Sequence, residues 1–130
     1  MLLFEKLTKE IKSAAIEVQN TLGTGLLEKT YEKALMYELE LRGIKSESQV
    51  SIKNYYKGKE IGQYYADLLV EDKIIIELKC VTALKSEHFA QTIHYINSTH
   101  YVLGILINFG SKKLEFKRIL KSDTNIRPSM

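Results

Sequence analysis

Cysteine and proline each occur once in this chain of 130 residues, and each scarcity excludes a class of architecture. With Cys80 alone, no internal disulfide forms; the thiol follows an apolar strand-like run and is expected to be buried. The sole proline is Pro128, so no proline-rich linker or disordered stretch interrupts the sequence. Histidine is scarce as well. His88, His94 and His100 lack metal-like spacing with Cys80, which argues against zinc, and His94 and His100 carry no functional assignment. Long hydrophobic runs are missing too: the longest, residues 101–107, is far short of a membrane span. The opening apolar residues run straight into Glu5, Lys6, Lys9 and Glu10, unlike a secretory leader. A soluble cytoplasmic protein without a membrane partner is the expectation. The formal charge of +3 is too small to identify a polyanionic partner.

What is present is ordinary globular composition, 45% hydrophobic and 27% charged, in a length that suits one domain spanning 1–130 with a frayed tail from about residue 122. Phe4, Leu7, Ile11, Ala14, Val18 and Leu22 recur at helical spacing, and Gly23-Thr24-Gly25 ends that helix. A second helix is expected over residues 26–42, with Leu27, Tyr31, Ala34 and Leu35 inward and Gly43 at its end. After Lys45 the period becomes two. Strands are expected from about Val50 to Tyr55 or Tyr56, over residues 61–70 and over residues 73–80, joined by turns at Lys57-Gly58-Lys59 and Glu71-Asp72. Connections this short force an antiparallel three-strand meander. Residues 86–97 read as a helix with Phe89, Ile93 and Ile96 on its packing side, and residues 101–109 as a central strand. A last strand is expected over residues 114–119, and no internal repeat is visible. The fold class is therefore α/β: two N-terminal helices, the meander, a crossover helix and further strands in a mixed sheet.

Asp67 lies ten residues before Glu77-Leu78-Lys79, inside a hairpin that is otherwise apolar. Burying an unpaired charge costs several kcal/mol or more, a cost that a metal or a hydrogen-bonded ion network offsets. Strand alternation puts Glu77 and Lys79 on one face with Ile75. The side that Asp67 takes depends on register. A two-residue loop at Glu71-Asp72 pairs Asp67 with Ile76 and sends the two carboxylates to opposite faces. A three-residue loop, or a bulge, pairs Asp67 with Glu77. Converging carboxylates would suit Mg²⁺ or Mn²⁺, with Lys79 orienting water or stabilising the transition state. A buried ion network, or an exposed pair at the sheet edge, is the structural alternative. Glu28 has part of its helix face turned inward, whereas Glu32 is free to face water. His88, Gln91 and Tyr95 share one polar helix face. Gln91 could bond a metal ligand or a phosphate, Tyr95 could contact substrate, and His88 fits a surface or structural role equally well.

At these residues the sequence resembles the GxxExxY family, a branch of the PD-(D/E)XK nuclease-like superfamily. The naming motif stands as Gly25-Leu26-Leu27-Glu28-Lys29-Thr30-Tyr31, followed by Ala66-Asp67-Leu68-Leu69-Val70, Ile76-Glu77-Leu78-Lys79 and Leu106-Ile107-Asn108-Phe109-Gly110. The resemblance implies a restriction-endonuclease-like core and metal-dependent phosphodiester hydrolysis, most readily of DNA, with Mg²⁺ or Mn²⁺ as cofactor. It implies Asp67, Glu77 and Glu28 as metal ligands and Lys79 beside the scissile phosphate, with Gln91 and Tyr95 matching the helix behind the acid pair. Ala66 replaces the proline that names the superfamily motif.

The catalytic set is thus Glu28, Asp67, Glu77, Lys79 and Gln91. Substrate contacts are assigned to Tyr31, Tyr95, His88, Lys112 and Lys113. Lys112, Lys113, Lys117, Arg118 and Lys121 make the C-terminal part basic, and Lys53, Lys57 and Lys59 cluster near Tyr55 and Tyr56. Such residues could contact phosphates and stack bases, although strand tyrosines often pack and edge lysines often oppose aggregation. A noncatalytic nucleic-acid-binding or protein-interaction module is the competing reading, and an RNA nuclease a third. Gripping duplex DNA or cutting both strands would call for a homodimer or a larger protein assembly.

Overall fold

The computed structural model describes residues 4–121, and the expected frayed tail lies outside them. Helix α1 (Glu5–Leu22) and helix α2 (Glu28–Leu41) precede strands β1 (Ser46–Tyr56), β2 (Lys59–Val70) and β3 (Ile74–Lys79). Helix α3 (Ser86–Asn97) then leads to β4 (Leu103–Asn108) and β5 (Glu115–Leu120). The strands form one mixed sheet in the order β1-β2-β3-β4-β5, with the expected three-strand meander at one side. Only β3 and β4 run parallel, because α3 carries the chain back across the sheet between them. The other neighbours are antiparallel.

Burial divides the molecule into layers. Ile11, Ala14, Ala15 and Val18 of α1 and Tyr31, Leu35 and Leu39 of α2 pack on Leu68, Val70, Ile74, Ile76, Leu78, Ile105 and Ile107. On the opposite face, Ile96 of α3 packs with Leu106 and Ile119. Gly104 permits that approach, since a side chain there would overlap Ile96. The central strands β3 and β4 are therefore buried on both faces, which is why they read as nearly continuous apolar runs.

Two expected packing assignments are corrected. Leu27 is 76% exposed because α2 begins one residue after it, at Glu28, and Leu27 only flanks the helix. Ile93 lies on the outer side of α3, whose buried residues are Thr92 and Ile96. Cys80 is half-buried and packs against the main core.

Candidate active site

The turn after β2 decides the site. Glu71 and Asp72 both take left-handed backbone angles, with φ of 52° and 53°, and the Lys73 N–H donates to the Val70 carbonyl at 2.9 Å. The ladder nevertheless starts at Val70↔Ile74 and runs through Leu69↔Ile75 to Leu68↔Ile76. Lys73 is thus the extra residue that shifts the register by one, the arrangement that brings Asp67 toward Glu77. The β2–β3 ladder ends at Leu68. One step beyond it, Asp67 Oδ2 accepts the Leu78 backbone N–H at 2.7 Å, so a carboxylate takes the place of a strand carbonyl. β3 continues beside β4 with Glu77↔Leu106 and Lys79↔Asn108. The paired ladder of the two hairpin strands thus stops short of the acid pair.

Glu77 is 6% exposed, and its Oε1 has no hydrogen-bond partner among the described residues. Burial pushes its carboxyl up to about 8, and the Asp67 charge pushes the same way, while Lys79 and a hydrogen bond from the Asp67 backbone oppose. The Asp67 carboxyl is also raised, chiefly by burial, against the Leu78 hydrogen bond. On the α3 side, Lys79 Nζ donates to Gln91 Oε1 at 3.3 Å. Tyr64 and Tyr95 stack with ring centroids 3.4 Å apart at 18°. The Tyr64 hydroxyl is buried without a partner, and burial followed by the Glu77 charge raises its pKa.

Glu28 and Glu32 exchange their expected positions. Glu28 is exposed in the first turn of α2, where an acid also suits the helix dipole. Its carboxyl is raised by partial desolvation and then by the Asp67 charge. Glu32 is the buried one at 4% exposure. Its Oε1 accepts from Gln49 Nε2 at 2.8 Å, and its Oε2 pairs with Lys29 at 3.3 Å. Gln49 also hydrogen-bonds toward Asp67 and so links the helix acid to the strand acid. Its backbone is left-handed, with φ of 53°, where the β1–β2 ladder steps from Ser48↔Leu68 to Val50↔Ala66. Glu32 was legible in principle, since it follows Tyr31 and stands three residues before Leu35 on the inward stripe. Gln49 was not, because nothing in an alternating strand marks a left-handed residue.

Tyr31 is corrected as a substrate contact. It is fully buried and stacks on Phe109 with centroids 4.8 Å apart, and its hydroxyl donates to the Gly23 carbonyl at 2.5 Å. It anchors the α1–α2 loop inside the core. His88 Nδ1 accepts the Lys85 N–H at 2.9 Å and so caps the start of α3. Lys112 and Lys113 line a separate cavity of about 700 Å³ with Lys12 and Lys117, which none of the acid-site residues lines.

The donor set suits a hard divalent cation: two carboxylates at a fork, one with a buried oxygen that nothing else satisfies. Among the described residues, no three His, Cys, Asp or Glu side chains stand together as a metal-holding group. The expected trio of Glu28, Asp67 and Glu77 is therefore not preassembled.

No curated protein matches the sequence. Among solved structures, the crystal structure of SSO0001 superposes with a TM-score of 0.60 at 18% identity, covering 95% of this chain and 62% of that one, a likeness of fold alone. The chain thus spans less than two thirds of that protein's length. The family model described as PD-(D/E)XK nuclease superfamily matches residues 5–119, through both N-terminal helices, the acid fork and the last strands, and the chain belongs to that superfamily.

Proposed function

We propose that this domain hydrolyses phosphodiester bonds of DNA with Mg²⁺ or Mn²⁺, as a member of the GxxExxY branch. The observation that carries the reading is the buried, unpartnered Oε1 of Glu77 beside Asp67 and Lys79. A carboxylate oxygen in that state is costly alone and suits direct ligation. Nucleases of this superfamily typically use divalent metal ions. Asp67 and Glu77 would hold the ion, with Glu28 as an outer acid at the cleft rim. The ion would supply Lewis-acid stabilisation of phosphoryl oxygens and acidify the attacking water.

Lys79 would orient that water or offset charge growing on the phosphate, and Gln91 would hold its ammonium in place. The branch assignment draws support from the motif's construction. Gly25 has φ of 101°, the Tyr31 hydroxyl closes the loop, and the Glu28 carboxyl feels the Asp67 charge. Lys79→Ala is the test. A folded variant should bind Mn²⁺ normally yet cleave DNA at least 100-fold more slowly, since loss of one transition-state donor costs about 3 to 4 kcal/mol. Cleavage equal to the parent's on the same substrate would remove Lys79 from the mechanism. A noncatalytic DNA-binding module is the second reading, favoured by the lack of a preassembled three-ligand group among the described residues. Salt-sensitive DNA binding without metal-dependent product would establish it.

A further inference from the structure

The β1–β2 hairpin runs well beyond the rest of the sheet: β1 and β2 have 11 and 12 residues, whereas β3 has 6. Its outer half lies alongside α3 and leaves a groove of about 580 Å³ between them, in the size range of ligand clefts. Tyr55, Ile61 and Gly62 form the hairpin wall, and Gln91, His94 and Tyr95 form the helix wall. Tyr55 and Ile61 are 62% and 63% exposed, large apolar surfaces that the fold leaves uncovered. A register shift between Asn54 and Tyr55 marks where Tyr55 enters its strand pair. Gly62 keeps the floor low, for a side chain there would meet only Asn54 at 3.7 Å.

Two groove residues touch neighbours of the acid fork. Gln91 lines the groove and receives the Lys79 hydrogen bond, and Tyr95 lines it and stacks on Tyr64. Charge at the hairpin tip favours an anionic occupant. Lys53, Lys57 and Lys59 stand against one acid, Glu60, which pairs with Lys53 at 3.5 Å. An exposed phenol, a neighbouring aliphatic side chain and flanking ammonium groups are the parts with which proteins hold unpaired bases on a phosphate backbone. A duplex keeps its base faces stacked inside and offers none to Tyr55.

Resting on the nuclease reading above, we infer that this groove holds a single-stranded DNA segment next to the cleaved phosphate, with a base stacked on Tyr55. The substrate is then DNA with an unpaired strand, delivered along the hairpin to Lys79.

The test is binding of fluorescein-labelled oligo(dT) and of a blunt duplex of equal length in EDTA, so that no cleavage intervenes. The parent should bind oligo(dT) more tightly than the duplex. Tyr55→Ala should weaken oligo(dT) binding about 10-fold or more. Gly62→Val, which raises the groove floor at a position where a Cβ meets only Asn54 at 3.7 Å, should do the same, and Tyr55→Phe should bind as the parent. Duplex binding should change less than about two-fold in all three. Overturning results are oligo(dT) binding within two-fold of the parent in both Tyr55→Ala and Gly62→Val, equal losses on duplex, no parental preference for oligo(dT), or tighter binding of oligo(rU). A separate Mn²⁺ cleavage assay keeps the two readings apart. Selective binding without cleavage sinks the nuclease reading alone, and cleavage with unaltered variant binding sinks the groove alone.

Discussion

Replacing Glu77 with glutamine isolates the energetic strain in the acid fork. Its carboxyl rises from 4.5 to about 8, chiefly because burial penalises the charged form. At about 1.4 kcal/mol per unit this corresponds to roughly 5 kcal/mol between the ionised and protonated side chain in the metal-free fold. Below pH 4.5 both folded and unfolded chains hold the proton, and the group contributes no pH dependence. Between 4.5 and about 8 the unfolded chain releases its proton while the folded chain keeps it, so stability falls as pH rises; above that range the loss is complete. Glu77→Gln carries no such proton. Urea denaturation in EDTA from pH 4.5 to 9 should therefore show the variant gaining on the parent by up to roughly 5 kcal/mol as pH rises. Asp67 and Glu28, raised in the same direction, add a slope of the same sign to both proteins. Saturating Mn²⁺ should restore the parent at high pH and leave the variant nearly unmoved. A parent–variant gap that stays constant across this range would refute the reasoning, because it would mean that Glu77 ionises freely in the fold.

Three further predictions concern the supports of the site. Gln49→Ala removes the bridge between Glu32 and Asp67 and should weaken Mn²⁺ binding about 10-fold or more by calorimetry, as losses of outer-shell partners commonly do. Phe109→Ala empties a fully buried position and unstacks Tyr31; it should cost about 3 to 5 kcal/mol in urea denaturation. Gly110→Ala would bring a Cβ within 2.5 Å of the Val81 backbone nitrogen, where Asn108 also bonds Val81. It should cost about 1 to 3 kcal/mol, read as a lowered melting temperature.

The elements were legible because their patterns are local. Phe4, Leu7, Ile11, Ala14 and Val18 alternate at three and four residues, and that spacing alone makes one buried stripe. Gly43 and Lys57-Gly58 announce the helix end and the first hairpin turn through their left-handed backbones. The parallel neighbour also followed, since a helix between two apolar runs leaves room for a crossover and a short turn does not. Leu27, Ile93 and Glu32 were misplaced for one shared reason. A helix rotates by about 100° per residue, so residues at the margin of the stripe fall inside or outside according to where the helix starts and what it meets. α2 starting at Glu28 left Leu27 outside, and the hydrogen bond from Gln49 holds Glu32 inside.

Tyr31 shows the same limit for chemistry. Its place in a motif with Glu28 implied contact with substrate, yet Phe109, distant in sequence, claims its ring and Gly23 claims its hydroxyl. The sequence by itself determined the layers, the order of the elements and the presence of Asp67, Glu77 and Lys79 in one apolar hairpin, because periodicity and short connections constrain those things locally. Only the tertiary structure decided the register that turns Asp67 toward Glu77, for that rests on a single extra residue, Lys73, between Val70 and Ile74. With a side-chain period of two, one residue of register moves a whole strand face from one side of the sheet to the other, and no local pattern records which register the packed core selects.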